Sequence, residues 1–154
     1  MKILMVCLGN ICRSPLAHGI MERKIHKNGL NWVVDSCGTG GWHSGELPDP
    51  RSIAVAQKHG IDLNTQRARQ FRSIDIDEFD LIFAMDKSNY EDILDYCNRE
   101  KERAKVKLIM DEVNEGQNVE VPDPYYGGPD GFQLVYNMLD EACEAIVARY
   151  NKQL

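Results

Sequence analysis

Short apolar runs alternate along the chain with longer stretches in which apolar residues recur every three or four positions. Residues 2–8 are almost continuously apolar, the pattern of a strand covered on both faces. Ser14-Pro15 then predicts a helix running to about Lys27, with Ser14 as candidate cap, Pro15 at the first helical position and Asn28-Gly29 as its end. Residues 32–37 read as a second strand, and Asp49-Pro50 opens a helix that Gly60 stops. Residues 81–85, preceded by Phe79, give a third strand. Residues 86–98 give a helix with Tyr90, Ile93, Leu94 and Cys97 on one face, and residues 106–110 a fourth strand. The last helix, from about Pro129, aligns Phe132, Val135, Leu139, Ala142, Ile146 and Tyr150 along one side. Strands alternating with helices predict an α/β fold, a four-stranded parallel sheet with helices on both faces. In such sheets ligands bind beyond the carboxyl ends of the strands, which directs attention to residues 7–14.

Length, repeats and charge narrow the class. The 154 residues carry no internal repeat, low-complexity tract or linker, so one domain over residues 1–154 is expected. A formal net charge of −6 argues against nucleic acid or an anionic membrane as partner. No apolar run reaches the ~20 residues of a membrane span, and the apolar start meets Arg13 too early for a signal peptide. Five cysteines, an odd number at irregular spacing, fit a reducing compartment, and a cytoplasmic location is expected. The sequence leaves the oligomeric state open.

The segment Cys7-Leu8-Gly9-Asn10-Ile11-Cys12-Arg13-Ser14 holds a cysteine and an arginine with five residues between them. Cys97 and Arg103, and Cys143 and Arg149, repeat that spacing, so the spacing alone carries little. Only the first pair sits between an apolar strand and a helix start, with Gly9 and Asn10 available for unusual backbone angles. A loop of this kind turns backbone N–H groups and the positive helix end toward an anion, and Arg13 offers a planar fork for two of its oxygens. The same field favours a cysteine thiolate, making Cys7 a nucleophile for phosphoryl transfer, with Ser14 a donor to its sulfur. No Gly-Lys-Ser/Thr ending follows, which excludes a nucleotide loop, and Cys7 and Cys12 lack a second ligand pair for zinc, so no cofactor or metal is expected.

Phosphoryl transfer to sulfur also needs an acid for the leaving oxygen and a base for water. Asp123, stiffened by Pro122 and Pro124, is the candidate, although a Pro-rich turn with a solvated Asp fits the segment about as well. Tyr125-Tyr126 before Gly127-Gly128 suit the wall of a slot for a flat ring or, equally, a cap on the core. Trp42, on the glycine-rich loop after the second strand, suits the opposite wall, although a large aromatic there is more often a core plug. No catalytic role falls to His18, His26, His43 or His59. Arg67, Arg69 and Arg72 are expected on a solvated face, with contact to an acidic substrate as the lesser alternative.

These residues resemble the low-molecular-weight protein tyrosine phosphatase family. The match is Val6-Cys7-Leu8-Gly9-Asn10-Ile11-Cys12-Arg13-Ser14-Pro15 with Asp123-Pro124-Tyr125-Tyr126-Gly127, and in between Asp35-Ser36, Ala68-Arg69-Gln70 and Met85-Asp86…Ser88-Asn89. The resemblance implies a flavodoxin-like fold and a phosphotyrosine-containing protein as substrate. It implies Cys7 as nucleophile, Arg13 as phosphate clamp and Asp123 as acid then base, with Leu8, Gly9, Asn10, Ile11, Cys12 and Ser14 forming the phosphate-binding loop. Asn10 and Ser36 would brace that loop, Trp42, Tyr125 and Tyr126 line the slot, and Cys12 trap oxidised Cys7 as a disulfide. Where many members carry a histidine before Ala-Arg-Gln, this chain has Gln66-Arg67, which leaves any role of that histidine unfilled. An arsenate reductase on this scaffold would need a relay cysteine pair after the third strand, where only Cys97 lies. The related arginine phosphatases carry threonine where Ile11 stands and lack the tyrosine pair. A binding module for phospho-ligands would need neither a nucleophile nor an acid.

Overall fold

The computed structural model describes residues 1–152, so the last two residues of the expected 1–154 domain lie outside the described residues. Its strands are β1 (Lys2–Cys7), β2 (Val33–Gly38), β3 (Leu81–Ala84) and β4 (Val106–Leu108), all parallel, in the order β2-β1-β3-β4. The sequence predicts this sheet because β1 is apolar on both faces. Ile3, Met5 and Cys7 join one buried cluster and Leu4 and Val6 another, an alternation of period two. Helices α1 (Arg13–Lys27), α2 (Pro50–Lys58) and α6 (Pro129–Asn151) cover the first face. Helix α4 (Lys87–Leu94) and the short α3 (Asp75–Glu78) lie on the second, and a short α5 (Glu100–Arg103) precedes β4. Phe132, Val135, Leu139, Ala142 and Ile146 of α6 are buried as the periodicity predicts, with Tyr150 half-buried. Among the described residues no helix is long and apolar enough to cross a membrane.

Several boundaries differ from the sequence reading, each for a local reason. Helix α1 starts at Arg13, and Ser14 is not its cap: the Ser14 hydroxyl faces the Cys7 sulfur instead. The helix expected over residues 86–98 ends at Leu94. There the Tyr96 and Cys97 N–H groups bond three residues back, and the Glu102 carboxylate takes the N–H groups of Asn98 and Arg99 at 2.7 and 3.0 Å to begin α5. Strand β4 stops at Leu108 because Ile109–Glu112 tighten into a 3₁₀ turn. Asp49 and Asp86 do cap α2 and α4, accepting from the Arg51 and Asn89 N–H groups at 2.8 Å each.

The arginine cluster read as a solvated face is corrected by Arg69. Its guanidinium bonds both oxygens of Asp75, which has no exposed surface, at 3.0 and 3.2 Å, and Asp35 at 3.1 and 3.2 Å. Its carbonyl accepts the Gly38 N–H at 2.9 Å, stitching residues 68–71 beside the end of β2. Removing one partner of a buried pair leaves the other charge uncompensated. Asp75→Ala should therefore lower the unfolding free energy by about 3 kcal/mol, read as a shift in denaturant midpoint at constant slope. A loss below about 0.5 kcal/mol would return Arg69 to an ordinary surface role.

Candidate active site

The site begins where β1 ends. Cys7 is 2% exposed, and residues 8–12 form a bend between β1 and α1. Two ties hold each side of it. The Thr39 and Gly40 N–H groups donate to the Cys7 and Leu8 carbonyls at 2.9 Å each, while the Asp49 N–H and the Ser52 hydroxyl donate to the Ile11 and Cys12 carbonyls at 2.8 and 3.1 Å. Gly38 makes the first tie possible, since a Cβ there would stand 2.7 Å from the Leu8 carbonyl oxygen. Asn10, not Gly9, takes the left-handed backbone conformation, with φ of 58°. Its amide nitrogen donates to Ser14 Oγ at 2.8 Å and Ser36 Oγ at 3.1 Å, and its carbonyl oxygen accepts the Arg69 N–H at 3.0 Å. Ser14 Oγ lies 3.0 Å from Cys7 Sγ. Among the described residues the backbone N–H groups of residues 8–12 donate to no protein acceptor, which leaves them for an anion inside the bend.

Arg13 closes the bend. Its side chain is 3% exposed, and Nη1 donates to Asp86 Oδ2 at 2.6 Å and to the Val121 carbonyl at 3.0 Å. Nη2 lies 3.8 Å from Asp123 Oδ2. Burial works against this charge, but Cys7, Asp86 and Asp123 outweigh it and hold the guanidinium more firmly protonated than usual. The neighbouring Cys12 thiol is pushed up to about 12, by burial first and then by the negative charges of Asp49, Cys7 and Asp123, so it stays a thiol at neutral pH.

Val121 anchors the next segment by donating to the Met85 carbonyl at 2.9 Å, which brings the Asp123 loop over the strand ends. Asp123 Oδ1 accepts the Tyr125 N–H at 3.1 Å, and the Gly127 N–H bonds the Pro124 carbonyl at 3.0 Å. A recess of about 240 Å³ results. Cys7, Leu8, Gly9, Ile11, Cys12 and Arg13 make its floor, and Trp42, Asp123, Tyr125 and Tyr126 its walls. Asn10, Ser14 and Ser36 are buried beneath it rather than lining it. Trp42 is 71% exposed and Tyr126 94%, so neither is a core plug.

Three contributors escape the sequence reading. His43 lines the recess, its Cδ2 3.1 Å from where a Gly9 Cβ would stand, and its Nδ1 is 2.9 Å from Glu46. Asp86 both caps α4 and fixes Arg13, and its place directly after the third strand was the available signal. Arg51 stands 5.5 Å from the Tyr125 ring and 4.6 Å from the Phe132 ring, propping the tyrosine wall. Gln66 donates to the Pro15 carbonyl at 3.1 Å. Among the described residues no group of three or more His, Cys, Asp or Glu side chains converges as metal ligands would.

Comparison with known proteins agrees with this architecture. Residues 2–154 match the family described as low molecular weight phosphotyrosine protein phosphatase. A low molecular weight phosphotyrosine protein phosphatase of Schizosaccharomyces pombe is 46% identical, over 90% of this chain and 89% of its own. A crystal structure of a protein tyrosine phosphatase from Entamoeba histolytica superposes with a TM-score of 0.93 at 39% identity, covering 99% and 98% of the two chains. A Drosophila arginine phosphatase superposes with a TM-score of 0.90 at 32% identity, covering 97% and 98%, so the fold is shared by enzymes of different phospho-amino-acid specificity.

Proposed function

Because this chain belongs to the low molecular weight phosphotyrosine protein phosphatase family, and is a protein-tyrosine-phosphatase of that class, we propose that it hydrolyses aryl phosphate monoesters through a cysteinyl-phosphate on Cys7. One observation carries this reading: the Cys7 sulfur, the Arg13 guanidinium and the Asp123 carboxyl group face a single recess beyond the strand ends. A phosphate in the bend takes the free N–H groups of residues 8–12 and two guanidinium N–H groups of Arg13. The Cys7 thiolate attacks phosphorus, the bond to the phenolic oxygen breaks, and Asp123 gives that oxygen its proton. Water then attacks phosphorus and loses its proton to Asp123, the phosphorus–sulfur bond breaks, and Cys7 leaves as a thiolate beside the Ser14 hydroxyl.

The walls favour phosphotyrosine. Trp42 and Tyr126 offer exposed aromatic faces at the rim, and Tyr125 is held by Arg51. Ile11 lines the floor where the resemblance places threonine in the arginine phosphatases. Cys97 packs in the cluster on the sheet face opposite that of Cys7, which weighs against an arsenate-reducing thiol relay. The five cysteines are free and suit a reducing, cytoplasmic compartment with phosphotyrosine proteins as substrates. Peroxide, as oxidant, would convert the Cys7 thiolate to a sulfenic acid, which condenses with the Cys12 thiol to a disulfide and water.

Hydrolysis of an aryl phosphate by wild type and variants tests the reading. Cys7→Ser should abolish turnover while inorganic phosphate binding, followed by calorimetry, partly survives on the loop N–H groups and Arg13. Arg13→Lys should be nearly as damaging, because an ammonium cannot span two oxygens in a plane. A Cys7→Ser protein with near-normal rate would remove the covalent route.

Asp123→Asn should slow phosphotyrosine cleavage by a factor on the order of 10²–10⁴. A phenol with a pKa of about 10 needs a proton to leave, and a nitrophenol needs far less help. Phosphoenzyme formation, measured before steady state across aryl phosphates of falling leaving-group pKa, should therefore show a shrinking loss. Equal losses throughout would strip Asp123 of its acid role.

For the redox branch, peroxide should inactivate the enzyme reversibly, with a disulfide between Cys7 and Cys12 in the peptide map. Recovery by thiol that is the same in Cys12→Ser would contradict that protection.

A further inference from the structure

A line of hydrogen bonds runs from the protein surface to the Cys7 sulfur, and its outer end is a histidine that takes no part in the chemistry above. Ser14 Oγ, 3.0 Å from Cys7 Sγ, accepts one hydrogen of the Asn10 amide, and Ser36 Oγ accepts the other. Ser36 Oγ in turn stands 3.1 Å from His18 Nδ1, and His18 Nε2 lies 3.6 Å from Glu22 Oε2. His18 follows Ser14 by one turn of α1, so both point toward the end of β2. Gln66 bonds the Pro15 carbonyl instead and makes no hydrogen bond to this line among the described residues.

Donor counting gives the line a direction. The Arg69 N–H occupies the Asn10 carbonyl oxygen, so the Asn10 amide nitrogen must donate to both hydroxyls. Ser36 is 5% exposed, and each hydroxyl has one hydrogen of its own to place. Ser36, already accepting from Asn10, can send its hydrogen to His18 Nδ1 when that nitrogen is bare. A carboxylate facing Nε2 favours the tautomer with the ring hydrogen there. Ser14, likewise accepting from Asn10, has its one hydrogen to place on the Cys7 sulfur at 3.0 Å or the Cys37 carbonyl at 3.3 Å, and a thiolate is the stronger acceptor.

We propose that His18 is a positioning residue for this reaction: by accepting the Ser36 hydrogen it holds Ser36 Oγ in place as a partner of the Asn10 amide, and so steadies the Asn10 side chain that keeps Ser14 Oγ 3.0 Å from Cys7 Sγ. This rests on the reading of Cys7 as nucleophile. The Ser14 hydrogen stabilises sulfur as it departs as a thiolate, whereas phosphate binding depends on the loop N–H groups and Arg13. The effect therefore falls on kcat more than on KM.

The test is steady-state hydrolysis of phosphotyrosine by wild type, His18→Leu, His18→Asn, Ser36→Ala and the Ser36→Ala/His18→Leu double variant, with Cys7→Ser alongside. His18→Leu should lower kcat roughly three- to tenfold, the worth of one hydrogen bond, with KM and phosphate affinity changed less than about twofold. His18→Asn, which keeps a polar group near the Nδ1 position, should recover most of the loss. On the Ser36→Ala background His18→Leu should cost nothing further. A kcat for His18→Leu equal to wild type, additive losses in the double variant, or a loss shared by KM and melting temperature without rescue by asparagine would overturn the proposal. Wild type inactive on phosphotyrosine, or Cys7→Ser active, would instead defeat the Cys7 reading and this proposal with it.

Discussion

The Asn10 side chain is the contact on which the site depends. A chain leaving a parallel strand for a helix has to reverse direction within residues 8–12, and Asn10 supplies the one left-handed residue in that bend. Its amide bonds Ser14 on α1, Ser36 on β2 and the Arg69 backbone, three elements that would otherwise be free to separate around Cys7. Arg69 is itself pinned by Asp35 and the fully buried Asp75. The loop geometry is thus braced by the ionic network at the edge of the sheet, and the free N–H groups stay aimed inward when no anion is present.

The second constraint is electrostatic. A guanidinium 3% exposed inside an acidic protein is costly unless paired, and Asp86 compensates it at 2.6 Å from the side away from the recess. Of the two remaining nitrogens, Nη2 is left facing Asp123 at 3.8 Å, a distance at which the pair is held loosely. Arg13 is therefore fixed by one carboxylate, which suits the phosphate clamp proposed for it. Cys12, pushed toward the neutral thiol by burial and then by the negative charges of Asp49, Cys7 and Asp123, adds no second negative charge to the floor. The outcome is one buried guanidinium and a set of inward-facing N–H groups at the strand ends of a chain whose net charge is −6.

Much of this was legible in the sequence where a residue's neighbours in the chain determine its role. The both-faces apolar run of β1, the Asp49-Pro50 helix start and the stripe on α6 all follow from spacing alone. Cys7, Arg13 and Asp123 could be singled out because strand, helix start and paired prolines bracket them. What escaped depends on partners distant in the chain. Ser14 has the composition of a helix cap, but Cys7 and Asn10 turn it elsewhere. Arg69 looks like one of three surface cations until Asp35 and Asp75 fold around it. Helix α4 should have run on to residue 98 by periodicity, but Tyr96 and Cys97 bond three residues back and the distant Glu102 carboxylate takes the next two N–H groups. His43 reached the recess because the glycine-rich loop folds back over Gly9, a contact that no local pattern encodes.

The account turns on a phosphorus–sulfur bond, and trapping that bond tests it most directly. Rapid acid quenching of the wild-type enzyme during turnover of a labelled aryl phosphate, followed by peptide mapping, should find the phosphate on the peptide containing Cys7, attached to sulfur. With a nitrophenyl phosphate, whose leaving group needs little help from the acid, its level should rise when Asp123→Asn slows the attack of water. Label on another side chain, or product formed in the first turnover with no phosphate bound to the protein, would contradict the covalent mechanism built on Cys7.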